Sequence, residues 1–284
     1  MNFVRLTTLA LVAITSIYAD SQIRDFWFSG AEINRYDLQQ MRYGESRPGH
    51  AEFIFVTEPF LTDKRVKHEY GSGASTEVLK LNALRTFNTG IYPYRVMTST
   101  FQAIDLEQFP HALKTNTSIQ DWCGQVFQQI NKSTTGWDLE LRSYFQKEAD
   151  RDFSLGNHWI EDELWTHLRL NPKSLPIGKF QLVPGAILTR WTHILAEPHE
   201  AEASLNSSEE QSIYTVEYPN LKRKLVIKFD TAFPHIIREW EEHEPDGITK
   251  AILTHRLMNS EYWSEHRLKD AGKRKLLGLE EEPN

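Results

Sequence analysis

Several segments of the chain alternate apolar and polar residues with a two-residue period, the mark of strands that bury one face. Ala51, Phe53 and Phe55 share a face, and the run is expected to stop at Glu58-Pro59. Trp137, Leu139 and Leu141 alternate with Asp138, Glu140 and Arg142. Leu225, Ile227 and Phe229 alternate with Lys224, Val226 and Lys228, while Tyr214, Val216 and Tyr218 precede Pro219-Asn220. These last two segments read as a hairpin turning at Pro219 to Lys222. Ile187 to Ile194 reads as a further strand, set off by Pro184-Gly185.

Two stretches carry a helical period instead. Ile119, Trp122, Cys123, Val126, Phe127 and Ile130 fall on one stripe within residues 118–131, and Ser118 with Asp121 resembles a capping box. The spacing predicts a helix packed on the concave side of the sheet, so that Trp122→Asp should unfold the protein or sharply reduce its soluble yield. A second helix is predicted from Trp159 to Leu170. Glu161, Asp162 and Glu163 in its first turn complement the helix dipole, and Asn171-Pro172 stops it.

Strands before and after these helices, without regular βαβ alternation, predict an α+β fold. The expected form is a mainly antiparallel curved sheet or open half-barrel with two or more packed helices. There is no internal repeat. Glu197 to Gln211 is polar and reads as a surface loop, so residues 20–284 are expected to form a single β-rich domain.

The first nineteen residues change the picture. Arg5 precedes an apolar stretch from Leu6 to Ile17, and Ala19 sits at a cleavage position, the pattern of a secretory signal peptide. The alternative is an uncleaved N-terminal membrane anchor, although the stretch is shorter than the roughly 20 residues that span a bilayer. The expected location is therefore outside the cytoplasm, periplasmic or secreted.

Composition adds mainly exclusions. At 40% hydrophobic and 25% charged residues, the 284-residue chain is neither disordered nor a multi-span membrane protein. Cys123 is the single cysteine, which excludes an internal disulfide and a Cys-rich metal site. A net charge of −7 argues against a nucleic-acid partner. Lys222-Arg223-Lys224 reads as a solvated cluster rather than a binding patch.

No nucleophile elbow, HExxH zinc motif or phosphate loop occurs. Cys123 reads as a small core residue. Glu239, Glu242 and His243 would share one side of a helix, and His158 with Asp162 has a similar spacing, but both stretches are charge-dense and read as solvated faces. Asp150 and Asp152 read as a polar turn. The aromatic content, including Trp27, Trp191 and Tyr92-Pro93-Tyr94, is compatible with a packed core or with an apolar ligand cavity.

Several segments together resemble a known family. They are Phe55-Val56-Thr57-Glu58-Pro59-Phe60, Val66-Lys67, Thr89-Gly90-Ile91-Tyr92-Pro93-Tyr94, Arg142-Ser143-Tyr144-Phe145, Leu170-Asn171-Pro172 with Leu175-Pro176-Ile177-Gly178, and Trp240-Glu241-Glu242. The series resembles an exported bacterial family of unknown function often labelled septum formation inhibitor Maf. Nucleotide pyrophosphatases sharing that label begin with a Ser/Arg-rich phosphate-binding segment. Here the mature start is Asp20-Ser21-Gln22-Ile23-Arg24-Asp25, so no catalytic residue is carried over. The strand-rich order also resembles the half-barrel of periplasmic lipoprotein carriers, an architectural likeness only.

The functional expectation is a non-enzymatic envelope protein that binds a lipid or other apolar ligand, or an envelope protein partner, with no metal and no cofactor. Glu58, Arg142, Arg190 and His193 are the candidate ligand-orienting residues. The alternatives are an exported hydrolase whose active site only the fold assembles, and a structural subunit of an envelope assembly.

Overall fold

The computed structural model describes residues 24–279; the signal-peptide stretch 1–19 and the acidic tail Glu280 to Glu282 lie outside the described residues. After a helical turn at 24–27, the chain builds a 16-stranded sheet. Its centre is β1 (Ala31–Arg42) and β2 (Glu45–Leu61), with the short β3 (Val66–Lys67) beside β2, followed by β4 (Ser75–Thr89) and β5 (Tyr92–Ala103). Beyond β5 the sheet continues through β6 (Lys114–Asp121), β7 (Gly124–Lys132), β8 (Gly136–Ser143) and β9 (Arg151–Gly156). The later strands return on the other side of β1. Their order outward is β16 (Gly247–Ser260), β15 (Ile237–Glu244), β14 (Arg223–Asp230), β13 (Gln211–Tyr218), β12 (His199–Ser207), β11 (Gly178–Val183) and β10 (Trp159–Ile160).

Every ladder is antiparallel except the short pairing of β10 with β11. Among the described residues no ladder joins the two edges, β9 and β10, so the large curved sheet is unclosed. Helices are few. The main ones are α1 (Glu161–Leu170) and α2 (Ala186–Thr192), and α1 packs against β4 and β5.

The alternation read from the sequence sets which face is inside. Ala51, Phe53, Phe55, Leu225, Ile227, Phe229, Tyr214, Val216 and Tyr218 all enter one core, together with Trp240 and Leu164 and Trp165 of α1. Trp137, Leu139 and Leu141 form an adjoining cluster with Val126 and Ile130. The β13–β14 hairpin turns at Pro219 to Lys222 as expected, with Lys222 in the left-handed region at φ 50°. β2, however, runs through Glu58-Pro59 to Leu61.

All ten residues of α1 are buried, and several are charged. Each buried charge must then find a partner. Glu161 receives both guanidinium nitrogens of Arg223 at 2.6 and 2.8 Å, and Arg169 makes two bonds to Glu32 at 2.9 and 2.7 Å. Glu163 accepts from the backbone N–H groups of Ala112 and Ile160 and bonds to His111. The helix fills the trough of the sheet with paired charge as well as with apolar side chains.

Several expectations are corrected. Residues 118–131 form the β6–β7 hairpin, not a helix, with Ile119 opposite Val126. Thr115, Thr117 and Ile119 point inward on β6, and the Thr117 and Thr98 hydroxyls meet at 2.9 Å, a β-branched ladder that disfavours helix. Trp122 and Cys123 sit in the turn, Trp122 is 69% exposed, and the reason to expect unfolding on Trp122→Asp disappears. Ile187 to Ile194 is chiefly helix α2 rather than a strand. Thr189 and Thr192 return their hydroxyls to the carbonyls of Ala186 and Leu188, which accommodates β-branched residues in a helix. Glu197 to Gln211 is not a loop but contains strand β12, and Glu239 to His243 lies on strand β15.

Candidate functional site

The upper rim of the sheet is formed where β1 ends, where the β13–β14 and β15–β16 hairpins turn, and where α2 follows β11. On the inward face, the register that buries apolar residues lower down places charged residues here. Leu38, Gln40 and Arg42 follow one another on β1, Trp240, Glu242 and Glu244 on β15, and Leu225 is succeeded upward by Arg223 on β14.

These elements enclose a concave pocket of about 410 Å³. Its walls are Met41 from β1, Leu188, Trp191 and Ile194 from α2 and its end, Leu221 from the β13–β14 turn, and Pro245 from the β15–β16 turn. The polar groups are Arg42, Arg223, Glu244 and Asp246, with Thr192 and Asn220 at the edges. Gly247 at the β15–β16 tip has φ 143°, a conformation L side chains rarely adopt, and lies against the Met41 side chain of β1.

Under the pocket lies a constriction of about 30 Å³, room for about one water. Around it are Arg85, Arg223, Glu161, Asp162, Glu242 and Glu244. Arg85 makes two bonds to Glu242 at 2.8 and 2.7 Å. Burial alone would raise the Glu242 carboxyl, but Arg85 and Arg223 outweigh it and hold it below the usual carboxylate range. Asp162 and Glu244 lack such forks. Burial, then the neighbouring Glu161, pushes Asp162 up to about 7; burial, then Glu242, pushes Glu244 up to about 7.

The pH consequence of Asp162 is testable. Between about pH 4 and 7 the unfolded chain loses this proton while the folded chain keeps it, so its contribution to stability is present at low pH and lost as pH rises through about 7. Asp162→Asn mimics the protonated form. It should match wild type near pH 4 and be more stable by roughly 2–4 kcal/mol at pH 8, measured by urea unfolding. His167, lowered to about 4 by burial, titrates in the opposite sense but is common to both proteins. An equal difference at both pH values would refute the assignment.

The sequence candidates fall in three places. Arg190 and His193 come together at α2. His193, at φ 55°, bonds through Nδ1 to Glu148, its Nε2 lies 3.4 Å from Arg190, and Arg190 stacks over Phe145 at 3.8 Å and faces Asp121 at 3.8 Å. They adjoin the pocket through Trp191 and Ile194 but do not line it. Arg142 lies on the outer face of β8, paired with Asp152 at 2.6 Å. Glu58 shares a β2 face with Ile54 and Val56, opposite Phe53 and Phe55, and bonds to Lys80 at 2.7 Å.

Arg42, Arg223, Glu242 and Glu244 were missed. Extending the Leu225 alternation by two residues reaches Arg223, which is 4% exposed although both flanking lysines are not buried. Glu242 and Glu239 face opposite sides of the strand; Glu239 and Glu241 pair with Lys228 and Lys250. Among the described residues no three metal-ligating side chains converge.

No protein-family model matches the chain, and no curated protein matches it in sequence. Among solved structures, it is similar to the beta-barrel-like protein of domain of unknown function DUF1849 from Brucella abortus. The TM-score is 0.47 at 9% identity, covering 81% of this chain and 98% of that one. These comparisons give no support to the septum formation inhibitor label or to the lipoprotein-carrier likeness.

Proposed function

We propose that the protein is an exported, non-enzymatic envelope protein that holds an apolar ligand in the rim pocket. One observation carries this reading: a pocket of about 410 Å³ stands open at the rim, walled by Met41, Leu188, Trp191, Ile194 and Leu221. Small-ligand sites have this size and this mixture of apolar wall and few polar groups, at roughly 300–1,000 Å³. The pocket lining contains no histidine, serine or cysteine, and the groups it offers the hydrolase alternative are the Thr192 hydroxyl and the carboxyls of Glu244, pushed up to about 7, and Asp246.

The test uses the neutral fluorophore N-phenyl-1-naphthylamine. It is expected to bind with one-to-one stoichiometry, and Thr192→Trp, an exposed position at the pocket edge, should weaken it by about tenfold or more with little change in melting temperature. Absence of binding, or equal binding to the variant, would refute the pocket as the site.

A protein partner is the second reading. It draws on exposed Ile91, Trp122 and Tyr144, at 86%, 69% and 74%, carried in turns along the same rim.

A further inference from the structure

We propose that the pocket's occupant is a carboxylate-headed amphiphile and that Arg42 receives its head. The inference rests on the pocket reading above and adds the chemical class of the ligand.

The contrast among buried arginines carries the argument. Arg85, Arg169 and Arg223 each make two bonds to a glutamate carboxylate, at 2.6 to 2.9 Å. Arg42 is also buried, at 8% exposure, yet among the described residues no carboxylate oxygen lies within 4.0 Å of it. Its guanidinium donates to the Trp191 carbonyl and the Tyr43 hydroxyl, both at 3.3 Å, it lies beside Tyr94, and Nε has no partner. Five N–H groups in a planar fork match a carboxylate, and here most of the fork is unused.

The surroundings fix this cation without neutralising it. The guanidinium lies 4.2 Å from the Tyr43 ring centre and 4.5 Å from that of Trp191. Cation–π contact holds its plane but supplies no counter-charge. The nearby Arg190, which faces Asp121 at 3.8 Å, does not supply Arg42 with a counter-charge, and burial followed by the field of Arg42 lowers the Arg190 pKa. A buried cation in this position gains most from an anion that arrives with the ligand. The facing hairpin carries Glu244 and Asp246, and Glu244 lies 3.7 Å from Arg223 Nε. The pocket therefore has a cationic side without a carboxylate partner at Arg42 and a facing side that already combines both signs. Met41, Leu188 and Leu221 supply apolar wall for the tail.

Three twelve-carbon probes separate the possibilities: dodecanoate, dodecanol and dodecyltrimethylammonium, titrated below their micelle concentrations by calorimetry. Wild type should bind dodecanoate about 10–100-fold more tightly than dodecanol, the range of a charge-assisted hydrogen-bonded pair. Arg42→Gln should reduce that preference to within about threefold, and Arg42→Lys should retain part of it. If Arg42→Gln fails to fold, the wild-type comparison still decides. Equal binding of dodecanoate and dodecanol would overturn the head-group assignment but leave the pocket reading standing. Preference for the ammonium probe would overturn it in favour of Glu244 and Asp246. Failure of all three probes to bind would overturn both readings.

Discussion

Trp240→Ala is expected to destabilise the protein by roughly 3–5 kcal/mol, read as a lowered urea midpoint. Trp240 is 0% exposed on β15 and joins elements distant in sequence. The Phe53 ring of β2 stacks on it at 4.7 Å, Tyr36 of β1 meets it edge-on at 4.6 Å, and Trp165 of α1 at 5.7 Å. Truncation removes the shared surface of the aromatic group that fixes α1 in the trough, and rigid strands on both sides cannot collapse into the void. Trp240→Phe should cost much less, since the indole Nε1 has no hydrogen-bond partner to lose. A loss below about 1 kcal/mol for the alanine variant would show that the core does not depend on this cluster.

How much of this was legible follows from what the alternation rule measures. It counts apolar residues, so it found Leu225, Ile227 and Phe229, and Trp137, Leu139 and Leu141, whose neighbours are polar. It failed on β6 and β7, where Thr115, Thr117 and Gln128 are buried but look polar, and where the remaining apolar residues fit a helical stripe by coincidence. It failed on α2 because a short apolar run does not distinguish helix from strand. It missed the site for a related reason. Arg42, Arg223 and Glu242 occupy inward positions in correct register, and a charge on a predicted strand is ordinarily assigned to solvent. Only pairing across the curved sheet, between β4 and β15 for Arg85 and Glu242 and between α1 and β14 for Glu161 and Arg223, makes their burial tolerable. That pairing joins residues more than sixty positions apart in sequence and leaves no local trace.

The same reasoning makes Arg169→Met the second large effect, with an expected loss of roughly 3–5 kcal/mol. Arg169 is 0% exposed, forks onto Glu32 of β1, donates from Nε to the Pro234 carbonyl at 2.9 Å, and lies 4.3 Å from the Phe55 ring centre. Methionine keeps much of the apolar volume but leaves Glu32 with only Arg256 at 3.1 Å and Asn34 at 2.6 Å. Burial would raise the Glu32 carboxyl, yet Arg169 and Arg256 hold it down at about 2. Its stabilisation is therefore present above about pH 4.5 and lost as pH falls toward 2, and Arg169→Met should flatten that acid limb. Adding Glu32→Gln to Arg169→Met removes the stranded charge and should recover roughly 2 kcal/mol. If the two substitutions prove additive in a double-mutant cycle, Arg169 acts through its packing on Phe55 and Trp27, and the ion pair contributes no coupling between α1 and the sheet.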